Sequence, residues 1–331
     1  MSKRLILIFF SLLSVLVSCQ RDHLYYASSN TATVLVKPDW SALNSTPNGI
    51  TVFAYNDADG SLYRRFPPVN ALDKCYIKLP EGDFTLLVMN DTPEEFDGRI
   101  QFTGTENLST IQAKGVKDEK RSTKFADHFI VEPDSLVVSL IKGVHISPEQ
   151  IDYFYDKPSS DINEDSAIEL DTKPKPAVSK VHIQAHVKGL KYARGTTSTY
   201  LRGVAGGRML GAEHNSTEAV SQAFILNNAK YDPGSDVNGT ISADFLSFGL
   251  IGDGMGSDKY YLDINFVLIN GDPYPLSIDV TDLISIEISL DLKLSLKLDL
   301  NIELPEVMGE EGGGFNTDIT EWDEEFIEIP M

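Results

Sequence analysis

Ile284-Ser285-Ile286-Glu287-Ile288-Ser289-Leu290-Asp291-Leu292-Lys293-Leu294-Ser295-Leu296-Lys297-Leu298-Asp299-Leu300-Asn301-Ile302-Glu303-Leu304 places Ile or Leu at every even position and Ser, Glu, Asp, Lys or Asn at every odd one. Period 2 is the repeat of a β-strand, whose successive side chains point to opposite faces. On a helix the same leucines would scatter around the whole circumference. As one strand at about 3.3 Å per residue the stretch would run roughly 70 Å, too long for a small sandwich. A bend or hairpin break is therefore expected inside it, although neither Gly nor Pro marks the place. The apolar row is expected to bury in a core between two sheets. A membrane β-barrel also alternates, but it needs many such segments, and the sequence has this one.

Outward from there the chain reads as short strands. Residues 32–37 and 50–55 are the first two, and Asn56-Asp57-Ala58-Asp59-Gly60 turns the chain back through Leu62–Phe66. Cys75–Leu79, Phe84–Met89, Phe102, Phe129–Val131 and Leu136–Leu140 continue the series, with Pro80-Glu81-Gly82-Asp83 as a tight turn. Strands at this spacing, separated by turn residues, indicate an all-β sandwich. Between Ser147 and Lys180 the composition shifts: Pro148, Pro158, Pro174 and Pro176 punctuate an acidic run from Asp161 to Asp171. This reads as a connection, with a short strand at Ala167–Leu170. A second β-rich region follows, with one helix candidate around Glu218–Ile225. The resulting division is 1–18 leader, 19–30 tether, 31–146 first β-sandwich domain, 147–177 connection, 178–308 second β-sandwich domain and 309–331 tail. The tail holds Gly309 and Gly312–Gly314, then Phe315 and Trp322 among acids, a pattern expected to dock on a surface, most simply its own domain.

The leader has a basic head, Lys3-Arg4, and an apolar run from Leu5 to Val17 broken only by Ser11 and Ser14. That run is shorter than the roughly 20 residues a membrane-spanning helix needs and suits a cleaved export signal. It ends in Leu16-Val17-Ser18-Cys19, which resembles the bacterial lipobox. Cys19 is therefore expected to be the lipidated first residue of the mature protein, held to a membrane by several acyl chains. Loss of Lys3 and Arg4 with the leader takes the formal charge from −21 to −23. So acidic a surface disfavours nucleic acid and anionic headgroups. The membrane link is then the lipid itself. Cys75 is the other cysteine, so no disulfide framework is expected.

Motifs with possible chemistry resolve into structure. His182 and His186 have the spacing of a helical zinc pair. Val181, Ile183, Ala185 and Val187 alternate with them, however, so the segment is a strand and the rings lie about 13 Å apart. Gly252-Asp253-Gly254-Met255-Gly256 lacks the Lys-Ser/Thr of a phosphate loop, and Asp57-Ala58-Asp59-Gly60 lacks the distal Glu of a calcium loop. No nucleophile is paired with a base. Neither an enzyme nor a cofactor or metal is expected.

Four segments carry a family resemblance: the Cys19 lipobox; Leu79-Pro80-Glu81-Gly82-Asp83-Phe84-Thr85-Leu86-Leu87-Val88-Met89-Asn90; Val187–Ala193 with Tyr200–Gly206 after it; and the Gly-rich stretch leading to Phe315 and Trp322. Together they resemble the FimB-like, fimbrillin-associated anchor lipoproteins of Bacteroidales. The resemblance implies two tandem transthyretin-like β-sandwich domains and a place at the base of a fimbria. It further implies attachment in the outer membrane through Cys19, and a stalk subunit as partner, joined by β-strand exchange. It also implies surface exposure, although the acidic signal some such lipoproteins carry after the cysteine is missing from Gln20-Arg21-Asp22-His23. A glycan-binding surface lipoprotein that assists polysaccharide uptake is the alternative. Cys19→Ala is expected to release the protein from membranes and to remove the lipid mass. Unchanged membrane fractionation with unchanged mass would refute the lipidation.

Overall fold

The structure, a computed structural model, describes residues 31–308 apart from 44–46, 70–72, 97, 120–127, 152–166, 227, 255–257 and 289–293. The expected leader, Cys19, the tether and the tail lie outside the described residues. The first half runs β1 Ala32–Pro38, β2 Ile50–Asn56, β3 Leu62–Val69, β4 Cys75–Leu79, β5 Gly82–Asn90, β6 Ile100–Thr103, β7 Gln112–Gly115, β8 Phe129–Ile130, β9 Val137–Ile146, β10 Ile168–Thr172 and β11 Lys175–Pro176. The second runs β12 Ser179–Lys188, β13 Ala193–Ala205, β14 Gly207–Met209, β15 His214–Asn215, β16 Ala219–Phe224, β17 Asn228–Tyr231, β18 Gly239–Ser247, β19 Tyr261–Leu268, β20 Pro273–Asp279, β21 Ile284–Ile288 and β22 Leu294–Glu303. The fold is all-β, built as packed sheets.

Sheet β10-β1-β4 packs on sheet β11-β9-β5-β2-β3. Val34 and Val36 of β1, Ile77 of β4, Val52 of β2 and Leu86 and Val88 of β5 meet between them in one core. β2 and β5 are buried on both faces: Ile50 to Tyr55 and Phe84 to Met89 are shielded without a break. That explains why these two strands read as continuous apolar runs rather than as alternation. Their second face, with Phe53, Tyr55, Leu87 and Met89, belongs to a larger core that extends through the other half of the chain.

In that other half, sheet β17-β18-β12-β22-β21 packs on sheet β20-β19-β13-β16-β8. Leu296, Leu298, Leu300 and Ile302 of β22 bury against Leu262, Ile264 and Phe266 of β19, and Phe224 stacks on Phe245 across the gap at 4.6 Å. The long alternating stretch is a hairpin. β21 and β22 pair antiparallel from Ile284 opposite Leu298 to Ile288 opposite Leu294, with the break falling in 289–293.

Three features differ from the sequence reading or add to it. The helix expected over 218–225 is strand β16, paired with β13 and β8. Its alternation is hidden because Gln222 occupies an inward position between Val220 and Phe224, where its Nε2 donates to Leu246 O at 2.5 Å. The segment 147–177 does more than connect: β10 pairs parallel with β1, and β11 pairs with β9. The halves also share sheets. A fourth sheet, β15-β14-β7-β6, joins β7 of the first half to β14 of the second, and β8 adds itself to the second half's sheet beside β16.

Close backbone approach at that junction requires glycine. A Cβ on Gly207 would lie 2.4 Å from Ala113 O, and one on Gly211 only 1.8 Å from Leu108 O. Gly207→Ala is expected to destabilise the protein by about 2 kcal/mol or more. Because one core spans both halves, denaturant unfolding of the wild type is expected as a single transition by both circular dichroism and fluorescence. Two separated transitions would show independent halves.

Candidate functional site

His182 and His186 both lie on the solvent face of β12, and each has its own acid. His182 Nδ1 is 2.9 Å from Asp244 Oδ1 on β18, and His186 Nε2 is 3.2 Å from Asp299 Oδ1 on β22. Lys188–Glu303 at 2.6 Å and Lys297–Glu287 at 2.7 Å continue the same ladder. Opposite charges on facing residues, as at Lys188 and Glu303, support the pairing of neighbouring strands, and the odd-numbered residues of β22 supply one side of the ladder. A shallow cavity of about 430 Å³ sits on this face, lined by His186, Lys188, Asp232, Asn301 and Glu303 among others. Among the described residues, no three His, Cys, Asp or Glu side chains converge as a metal-holding group.

The two glycine-rich motifs are structural. Asp57 Oδ1 accepts from Thr85 Oγ1 at 2.7 Å, and Asp59 Oδ1 accepts from Ser61 N at 2.9 Å, so both aspartates tie down the turn between β2 and β3. Asp253, at φ 59°, accepts from Asn215 N at 3.3 Å and lies 3.4 Å from Arg208 Nη1. The loop thereby clamps the β14–β15 hairpin at the junction of the halves. Cys75 is buried in the first core, and burial pushes its thiol up to about 11. It is a small apolar side chain here.

What remains open is backbone at strand edges, where unpaired N–H and C=O groups invite another strand. Three of these edges are blunted. β20 carries Pro273 and Pro275, and β3 carries Pro67 and Pro68, none of which has an N–H to donate. β10 presents Glu169 and Asp171, both near Lys37. β21 carries no proline, and its one charged residue, Glu287, is held by Lys297 on β22. Ser285 and Glu287 stand opposite Lys297 and Ser295, Ile286 is 49% exposed, and Leu283 beside it is 43% exposed. β22 is flanked by β12 from Ser295 to Glu303 but by β21 only from Leu294 to Leu298, so among the described residues no strand pairs with its last five residues on that side. The strict alternation and length of 284–304 signalled a strand with a bend or a hairpin break inside it. The unequal length of the hairpin's arms has no signature in the sequence.

The described residues thus form an all-β protein of packed sheets whose two halves share one core. The chain belongs to the family described as a domain of unknown function, DUF5119, which matches residues 18–225. No curated protein matches it. A protein of Bacteroides ovatus assigned as an adhesin is similar in structure, with TM-score 0.52 and 19% identity over 84% of this chain and 94% of that one. A Bacteroides thetaiotaomicron protein with the same assignment has TM-score 0.50 and 10% identity, covering 82% and 92%. The fimbrial anchor protein Mfa2 of Porphyromonas gingivalis has TM-score 0.48 and 15% identity, covering 82% and 90%. The first two share this fold. No helix among the described residues is long and apolar enough to cross a membrane.

At pH 8 Cys75 is expected to react with a maleimide at least about a hundredfold more slowly in the folded protein than in denaturant. Mass spectrometry of its peptide measures this, and fast labelling would refute its burial.

Proposed function

We propose that the chain is a lipid-anchored, non-enzymatic subunit of a fimbria of the FimB-like kind, fixed in the outer membrane through Cys19 and joined to a stalk subunit by strand augmentation. The observation that supports this most is the edge of β21. The backbone N–H and C=O of Ile286 turn away from β22, since Ser285 and Glu287 take the positions that face it. The exposed Leu283 and Ile286 then give an added strand apolar side chains to cover. Augmentation of this type draws affinity from main-chain hydrogen bonds and specificity from alternate side chains. The acidic surface suits a protein–protein role and disfavours nucleic acid.

The test is recovery of fimbrial subunits with the tagged, lipidated protein from solubilised envelopes. A stalk subunit is expected to co-purify, and Ile286→Lys is expected to cut its recovery at least tenfold while leaving thermal unfolding within a few degrees of wild type. A deletion strain whose fimbriae stay attached, but which no longer grows on one polysaccharide, would overturn the reading in favour of glycan uptake.

A further inference from the structure

Segment 128–132 closes the sides of two sheets at once. Its strand β8 lies along β16, with Phe129 opposite Ser221 and Ile130 opposite Gln222, and Ser221 N–H donates to His128 O at 2.8 Å. Two residues past Ile130, Glu132 Oε1 accepts from Leu246 N–H of β18, in the facing sheet, at 2.8 Å. β17 flanks β18 only from Gly239 to Ser242. At Leu246 side chains stand in for a neighbouring strand, Glu132 on the N–H and Gln222 Nε2 on the carbonyl. The segment thus holds β16 by its main chain and β18 by a carboxylate.

It is itself held from the first half. Val131 N–H donates to Val116 O at 2.9 Å, Asp118 N–H to Phe129 O at 2.8 Å, and Arg99 Nη1 to Glu132 O at 3.1 Å. Phe129 is fully buried and meets the Tyr200 ring edge-on at 5.0 Å. Ile130 packs so closely on Gly115 that a Cβ there would lie 2.8 Å from Ile130 Cδ1. A two-residue pairing is weak by itself, and these anchors keep it in place.

The strand it covers explains why a cover is needed. β16, Ala219-Val220-Ser221-Gln222-Ala223-Phe224, has no charged residue and no proline. β10 discourages added strands with acids, and β3 and β20 do so with prolines. Val220 and Phe224 face the core, so Ala219, Ser221 and Ala223 make up the outward face of β16, which is small and flat. The main chain of Ser221 points at the segment, and period 2 turns Ala219 and Ala223 the same way. Laid antiparallel on a second β16, Ser221 would meet Ser221 and Ala219 would meet Ala223, small residue against small residue with no opposed charge. Flat, uncharged strands of this kind are the ones that pair with copies of themselves.

We propose that segment 128–132 is an edge guard that keeps this chain monomeric, denying β16 and the open end of β18 to a second copy. Loosening it opens a self-complementary edge through which two copies join, β16 to β16. The guard concerns this edge alone, and it stands whether or not β21 receives a fimbrial strand.

Sedimentation equilibrium of full chains carrying Cys19→Ala, so that no acyl chain drives association, tests it. Phe129→Ala/Glu132→Ala is expected to dimerise at least about a hundredfold more tightly than the Cys19→Ala reference. Adding Ala219→Glu/Ala223→Glu is expected to restore the reference, because the new carboxylates would face each other across the β16–β16 pair. A variant that is folded by circular dichroism and associates no more than the reference would overturn the proposal. So would association that the two glutamates leave unchanged, since it would run through another surface. Glu132→Ala alone removes only the cap on Leu246 and keeps the Phe129 anchor, so it decides the matter where the double variant does not fold. It is expected to dimerise at least about tenfold more tightly than the reference, and an unchanged monomer would again overturn the guard.

Discussion

The antiparallel pairing of β7 with β14 is the constraint on which the rest of the molecule depends. Gly207, Arg208 and Met209 stand opposite Lys114, Ala113 and Gln112, and main-chain hydrogen bonds thereby weld a strand of the first half to one of the second. Around that weld the apolar side chains of both halves merge. Ile111 and Ala113 share a core with Leu201 and Val204, and with the outer face of β2 and β5. The exposed pairs Lys114–Glu218 and Lys142–Glu213 also cross the junction, but they add little beside the apolar burial. Two sandwiches joined only by a linker would be expected to move independently. Here the interface is a sheet and a core, so the halves move together.

This junction explains what could be read from the sequence and what could not. Alternation is a local signal, and it located β12 and β22 because each buries one face and wets the other. Continuous apolar runs located β2 and β5 as strands, but their meaning, burial on both faces, needs the small fourth sheet, whose strands lie more than 90 residues apart in the chain. β16 was hidden by Gln222 at an inward position, a polar residue whose Nε2 donates to a carbonyl of another sheet. Nothing local reveals such a partner. β8 reads correctly as a strand, yet its neighbour is β16, about 90 residues on.

The candidate site was legible in the same uneven way. The two histidines were placeable as solvent-facing strand residues from their apolar neighbours alone. Their separate acids, Asp244 and Asp299, lie on strands β18 and β22, whose register only the fold supplies. The exposed edge of β21 follows from its place at the end of a five-stranded sheet, a property of topology rather than of residue type. The absence of proline from that edge, beside the prolines of β3 and β20, is visible in the sequence once the topology is known.

β1 has a further consequence, and it is mechanical. It is the first strand of the described chain, and it lies between a parallel neighbour, β10, and an antiparallel one, β4. A pull on the chain ahead of Ala32 acts along the axis of β1, so the hydrogen bonds on both sides are strained in shear and share the load. An edge strand pulled sideways would lose its bonds one after another. The alternate side chains Ala32, Val34 and Val36 would also have to be dragged through a closed core before the strand could leave. β1 is thus placed to bear tension applied along its own axis.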